Sequence, residues 1–304
     1  MNEGRTGPQI KSDERRVVVG LGELLWDMLP TGEQRLGGAP ANFAYMAAML
    51  GDCGTIASRI GNDPLGDHAL ERLDEAGVGS LHIQRDATHA TGTAEVQLDA
   101  EGKPVYSIVE DVAWDHFELN SDWQQLAAQA DAVCFGSLAQ RSHRSRETIR
   151  GFLGATRDET LVVFDVNLRR PYFSADVISE SLLLSNIAKL NDDELRTVAE
   201  VFDLRGETDE HSARELLQRF DLQLLCVTRG DRGSLLVTES ACVEHPGFKV
   251  EVADTVGAGD AFTAALVHHH LRGATLAEIS DAANRLAALV ATQVGATPAV
   301  LEHF

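Results

Sequence analysis

The chain of 304 residues sets 26 basic against 47 acidic side chains, a formal net charge of −21, and 44% of its residues are hydrophobic. That length and apolar content supply the core of one large α/β domain or two small ones. A negative field of this size repels nucleic acid and anionic lipid, which argues against a genome or membrane partner.

Residues 1–16 are polar and charged, without the apolar run of a secretory signal, and no segment reaches the apolar length of a membrane-spanning helix. They read as a flexible tail on a cytoplasmic protein. Cys53, Cys134, Cys226 and Cys242 are too widely spaced for a zinc site and too few for a disulfide scaffold, so reduced, mostly buried thiols are expected.

"RRVVVGLGELLWDMLP" opens with a β-branched run that predicts a buried strand. Its Gly20-Leu21-Gly22 is not a dinucleotide fingerprint, because Leu25 stands where the third glycine belongs and no helix start follows. "RLGGAPANFAYMAAMLG" reads as a Gly-Gly bend, a helix opened by Pro40 and a stop at Gly51. "GTIASRIGNDPLGDHALERLDEAGV" predicts strand, loop and helix, and "TAEVQLDAEGKPVYSIVE" alternates like a hairpin about Glu101-Gly102.

From Asp131 onward, "DAVCFGSL", "TLVVFDVNL", "IAKLNDDEL" and "LQLLCVTRG" are short apolar runs separated by helical segments, the pattern of a parallel sheet covered on both faces. Ligands bind such sheets beyond the carboxyl ends of the strands. Asp165, Asn167, Arg169, Asn191, Glu194, Thr228, Arg229 and Gly230 follow these runs and are therefore candidates.

In "VEVADTVGAGDAFTAALVHHHL", Gly257, Ala258 and Gly259 form a bend ahead of a helix. Backbone N–H groups in such a bend, with the helix dipole behind them, make an anion site; tight packing of helix on sheet is the alternative. Asp260 is either a helix cap or a general base, which beside a transferring phosphoryl group would take the proton of an attacking hydroxyl. His268 to His270 cannot converge on a metal, since neighbouring helix positions point about 100° apart, and they read as surface residues.

Taken together, "DTVGAGDAF" resembles the second signature of the ribokinase-like, or PfkB-type, carbohydrate kinases, and "RIGNDPLG" resembles the first. "GGAPAN" is similar to the family's sugar-binding segment, "KLNDDE" contains its N-x-x-E element, and "VTRGDRGS" is similar to its nucleotide-binding T-x-G-x-x-G segment. The resemblance implies a single ribokinase-like domain over 17–304, with a Rossmann-like, mostly parallel sheet flanked by helices. It also implies a small β lid built from segments 26–36 and 91–114.

By the same resemblance Asp260 is the catalytic base, with Gly257, Ala258 and Gly259 as the anion hole. Asp27, Gly38 and Asn42 contact the sugar, and Thr228, Gly230 and Gly233 contact ATP, with Lys189 and Asn284 assigned to the nucleotide side. A lone Asn such as Asn284 is otherwise more often a surface residue. Asn191 and Glu194 are implied to organise Mg²⁺, often through water, or else form a capped helix start. Asp254 with the backbone of Val256 and Gly295 matches the potassium site of many relatives, and Arg169 holds a phosphate, the closed lid or a surface ion pair.

Despite the acidic charge, the glycine bend, the helix dipole and Arg229 are expected to attract MgATP locally. Ala39 and Pro40 replace the lysine-glycine pair of ribokinase-type members, a form typical of fructokinase-like ones. Lys103 is the main cation of the lid hairpin, so a neutral hexose such as fructose fits better than its phosphate. The alternatives are a ribokinase, a ketodeoxygluconate kinase, a nucleoside kinase or a sugar sensor without turnover. A homodimer paired through the lid is expected.

Overall fold

The computed structural model describes residues 15–98 and 104–298; most of the N-terminal tail and Glu101, Gly102 and Lys103 lie outside them. The chain runs through β1 (Val17–Leu21), β2 (Leu25–Met28), β3 (Gln34–Gly37), α1 (Ala39–Met49), β4 (Cys53–Gly61), α2 (Pro64–Glu75) and β5 (Ile83–Asp86). It continues into β6 (Gly92–Leu98), β7 (Pro104–Ile108) and a short 3-10 turn (Ala113–His116). Helix and strand then alternate through α3 (Ser121–Gln129), β8 (Ala132–Gly136), α4 (His143–Leu153), β9 (Leu161–Asp165), α5 (Ala175–Leu183) and β10 (Ile187–Asn191). After α6 (Asp192–Val201) and α7 (Asp209–Arg219) come β11 (Leu224–Thr228), β12 (Ser234–Val237), β13 (Cys242–His245), α8 (Ala258–His270) and α9 (Leu276–Ala291).

The continuous apolar runs become strands buried on both faces because successive side chains point to opposite sides. Val19, Val133, Phe135, Phe164, Leu190 and Val227 pack into one core beneath α3 to α7. Their neighbours Val18, Cys134, Val163, Ile187 and Cys226 pack into the other, against α1, α8 and α9. The sheet order is β13-β12-β11-β10-β9-β8-β1-β4-β5. β1 is parallel to both β4 and β8, and the parallel ladder continues to β11. β12 and β13 run antiparallel because the nucleotide-type segment Thr228–Ser234 turns back on itself as a hairpin.

The second sheet has the order β3-β2-β6-β7, with β2 parallel to β6 and the other pairs antiparallel. Trp26 joins this sheet to the main body: it is buried, its Nε1 donates to the Leu65 carbonyl at 3.0 Å, and its ring stacks on His68 at 4.7 Å. Among the described residues no helix is long and apolar enough to cross a membrane.

The histidine run departs from the surface reading. His268 Nδ1 lies 2.8 Å from Oδ2 of the buried Asp52, whose other oxygen accepts from Arg272 at 2.7 Å. The last turn of α8 is thereby tied to the end of α1, a tertiary pairing across 216 residues that periodicity does not encode.

Strands β3 and β7 are the two edges of the small sheet, and strand edges of this kind offer a template for a second copy. Sedimentation should therefore give a dimer. The mass of a single chain at micromolar concentration would refute pairing through this sheet.

Candidate active site

Beyond the carboxyl end of β1, the chain leaves for the small sheet, and the flanking strands β4 and β8 diverge in sequence. This is where a doubly wound sheet opens a crevice. A cavity of about 820 Å³ lies there, reaching from Glu23, Asp27 and Asn42 at one end to Thr228, Gly230 and Asn284 at the other. A shallower depression of about 440 Å³ beside Asp203 and Arg219 gathers no comparable set of groups.

Asp260 lies between the two ends, half-buried on the third residue of α8. The helix starts at Gly257, whose φ of 80° is left-handed. A β-carbon there would meet the Ala296 carbonyl oxygen at 2.5 Å, so only glycine fits. The Asp260 side chain makes no capping bond; its Oδ2 accepts from Asn42 Nδ2 at 2.8 Å, which sets the cap reading aside. The N–H groups of Gly257, Gly259 and Asp260 find no acceptor among the described residues, whereas Ala258 N–H reaches the Thr255 carbonyl at 3.3 Å. Free first-turn donors and the positive helix end suit an anion beside Asp260.

Under this turn lies a buried ion pair. Lys189 and Asp165 are cross-strand partners of β10 and β9, and Lys189 Nζ donates to the two Asp165 oxygens at 3.1 and 3.0 Å. The Thr263 hydroxyl is 3.1 Å from Asp165 Oδ2 and 3.0 Å from the Gly259 carbonyl, linking the pair to α8. A β-carbon on Gly259 would stand 2.9 Å from Lys189 Nζ, so the glycine is what lets the ammonium approach. Burial opposes the charge on Lys189, but Asp165, Glu194 and Asp260 outweigh it and raise its pKa.

Burial, and then the Asp165 charge, push the Asp260 carboxyl up to about 7, against the pull of Lys189, Asn42 and Arg169. Asp27 is pushed up to about 6, again by burial first, with Arg169 and Arg35 opposing.

Glu23 is a site residue that the motifs did not mark. It is 3% exposed, lines the cavity, and its Oε2 finds no partner among the described residues. Burial pushes its carboxyl up to about 7. The available signal was an acid inside the otherwise apolar run "GLGELLW", directly after a strand.

Gly38 and Arg169 also line the sugar-type end, and Arg169 makes no ion pair among the described residues. Asn191 and Glu194 form the capping box: Asn191 Oδ1 accepts from Glu194 N–H, and Glu194 Oε2 from Asn191 N–H, both at 2.8 Å. Glu194 Oε1 accepts from Leu168 N–H at 2.8 Å, so each oxygen keeps one lone-pair site uncommitted among the described residues.

Thr228, Gly230 and Gly233 line the far end with Asn284, which is buried rather than superficial. Both Asn284 amide hydrogens are committed, to Ser234 Oγ and the Ser280 carbonyl at 2.7 Å each. Arg229 does not line the cavity. It pairs with Asp209 at 3.0 Å and Glu244 at 2.6 Å, because the antiparallel turn to β12 points it at those acids. Asp254 braces two loops: Oδ1 accepts from Val256 N–H and Oδ2 from Gly295 N–H, both at 3.0 Å.

The raised carboxyls have a consequence for stability. A group whose folded pKa exceeds its unfolded value holds its proton in the folded state, so stability falls as pH rises from about 4 through about 7. Asp260→Asn should therefore be more stable than the wild type at pH 8, by on the order of a few kcal/mol at most and with a higher melting temperature, and equally stable near pH 4. Equal melting temperatures at pH 8 would show that Asp260 is fully solvated.

A profile of the "pfkB family carbohydrate kinase" matches residues 27–303. The chain is 31% identical to the "Putative sugar kinase PH1459" of Pyrococcus horikoshii, over 92% of this chain and 91% of that one. The crystal structure of PH1459 superposes with a TM-score of 0.82 at 30% identity, covering 92% and 93% of the two chains. A fructokinase of Salmonella typhimurium is 31% identical over 81% of this chain and 82% of its own. Fructokinase from Vibrio cholerae, in its fructose, ADP and calcium ion bound form, matches with a TM-score of 0.80 at 26% identity, covering 95% and 96%. The family profile takes in nearly the whole chain, and sequence and structural relatives agree with it: the chain belongs to the pfkB family of carbohydrate kinases.

Proposed function

We propose that this kinase transfers the terminal phosphoryl group of ATP to a hydroxyl of a neutral hexose, fructose before others. The observation that carries the reading is Asp260, a half-buried carboxylate between a sugar-sized polar recess and a set of free helix N–H groups. ATP lies along Thr228, Gly230, Gly233 and Asn284, with the Asn284 carbonyl left to accept from the base. The sugar lies against Asp27, Gly38, Asn42 and Glu23. Besides the exposed Lys249 and Lys189, which is committed to Asp165, Arg169 is the only basic side chain lining the cavity among the described residues, too little for a substrate that already carries a phosphate.

Asp260 takes the proton of the attacking hydroxyl as the new P–O bond forms, and a pKa raised toward 7 suits a base working near neutrality. Asn42 holds the carboxylate in line. The N–H groups of Gly257, Gly259 and Asp260 stabilise charge on the phosphoryl oxygens, Ala258 adds no bulk, and Lys189 balances the acids beneath. Mg²⁺, bound through water by Asn191 and Glu194, would neutralise phosphate charge; the free lone pairs of Glu194 suit a hydrated ion. A K⁺ ion at Asp254, between the loops of Val256 and Gly295, would share that carboxylate with Arg35 at 3.7 Å; a double mutant of the Vibrio cholerae fructokinase is described with fructose, ADP and potassium ion.

The test is ADP release with MgATP across fructose, ribose, glucose, ketodeoxygluconate, adenosine and fructose 6-phosphate. Fructose should give the highest kcat/KM, and Asp260→Asn should lower kcat by about 10²–10⁴-fold with KM little changed. A better rate on another neutral member would correct the substrate, and no turnover on any would favour a sensor. Replacing Na⁺ by K⁺ should raise the rate; equal rates in both would remove the potassium site.

A further inference from the structure

Away from the cavity, a group of metal-binding side chains lies where the small sheet joins the main body. His89 precedes β6, while Asp111 and His116 follow β7. One donor atom from each of the three falls within 4.8 Å of the others. Asp111 Oδ1 is 2.8 Å from His116 Nε2 and 3.8 Å from His89 Nε2. The two rings stack with centroids 3.5 Å apart, 14° from parallel, so both present an edge to one carboxylate.

What holds His89 separates this group from a chance surface contact. Its Nδ1 lies 3.1 Å from Asp86 Oδ2. Asp86 is 2% exposed, takes Arg59 Nε on Oδ2 at 2.8 Å, and takes the N–H groups of Thr88 and His89 on Oδ1 at 2.8 and 2.9 Å. A carboxylate fixed in this way draws the imidazole proton to Nδ1 and leaves the Nε2 lone pair facing Asp111. Two acceptors then face each other across 3.8 Å, and a cation between them satisfies both. Ligands about 2.0–2.1 Å from a tetrahedral ion stand about 3.4 Å apart, between the two separations found here. The nearly parallel His116 ring has to tilt to aim its own lone pair, displacing its proton to the other nitrogen, and at 22% exposure it has room.

We propose that His89, Asp111 and His116 form a binding site for a zinc-class dication that ties together the two ends of the β6–β7 hairpin. Two imidazoles and a carboxylate select zinc-class ions over Mg²⁺ and K⁺, which prefer all-oxygen shells, and water completes the set. The ends already meet through Ala113 N–H and the Ala90 carbonyl at 2.8 Å, so the ion reinforces an existing joint. The hairpin contributes Ala94 and Ile108 to the cavity wall, which places the ion at the root of the element beside the sugar-type recess.

The test titrates the metal-stripped full chain, free of any affinity tag, with Zn²⁺ by calorimetry and with Co²⁺ by visible absorption. One ion per chain is expected, with affinity lowered by about tenfold or more in His89→Ala, His116→Ala and Asp111→Asn, and no competition from excess Mg²⁺. The Asp111 side chain is 79% exposed, so Asp111→Asn decides the matter if a histidine variant fails to fold. A double substitution of His269 and His270 by Ala should bind as the wild type does. No binding by the wild type, unchanged binding in the three site variants, or loss in the His269 and His270 variant would each overturn the site.

Discussion

The buried pair of Lys189 and Asp165 is the interaction around which the cavity is organised. Burying two charges costs more than their attraction returns unless further partners are satisfied, so such a pair is poor evidence of added stability. Here one ammonium faces Asp165, Glu194 and Asp260, and it permits three acids to gather at the ends of parallel strands. The register of β9 and β10 places the pair, and the missing side chain of Gly259 admits it beneath the helix start. Loss of Lys189 would leave uncompensated carboxylates, so position 189 couples fold and site.

Asp260 is balanced between opposed influences. Burial and Asp165 hold its proton, while Lys189, Asn42 and Arg169 release it. A carboxylate fully paired with a cation would be a weak base, and one without any would remain protonated at neutral pH. The same burial makes the ionised site a cost to the fold, as is common where chemistry requires a group held away from water. Glu23 extends this acidic set toward the small sheet, and its Oε2 has no partner among the described residues.

The small sheet is joined to the body at specific places: Trp26 donates to the Leu65 carbonyl, the Tyr172 hydroxyl to the Ile108 carbonyl at 3.3 Å, and Arg141 to the Val109 carbonyl at 2.6 Å.

Local pattern was enough for much of this protein. The apolar runs of β8 to β11, the Gly-Pro opening of α1 and the glycine bend before α8 are short-range signals of burial, helix start and backbone conformation, and each is legible in the chain. Ordered motifs likewise marked Asp260, Asn42 and Thr228. Tertiary structure alone decided what those residues face. Asn42 meets Asp260 across 218 positions, Lys189 meets Asp165 through strand register, Arg229 turns away to Asp209 and Glu244, and Asn284 is buried against Ser234. Glu23 and the His89 group gain their character from burial and from partners distant in sequence. Pairing, desolvation and pKa are properties of three-dimensional neighbourhoods, whereas periodicity and turn chemistry act within a few residues of the chain.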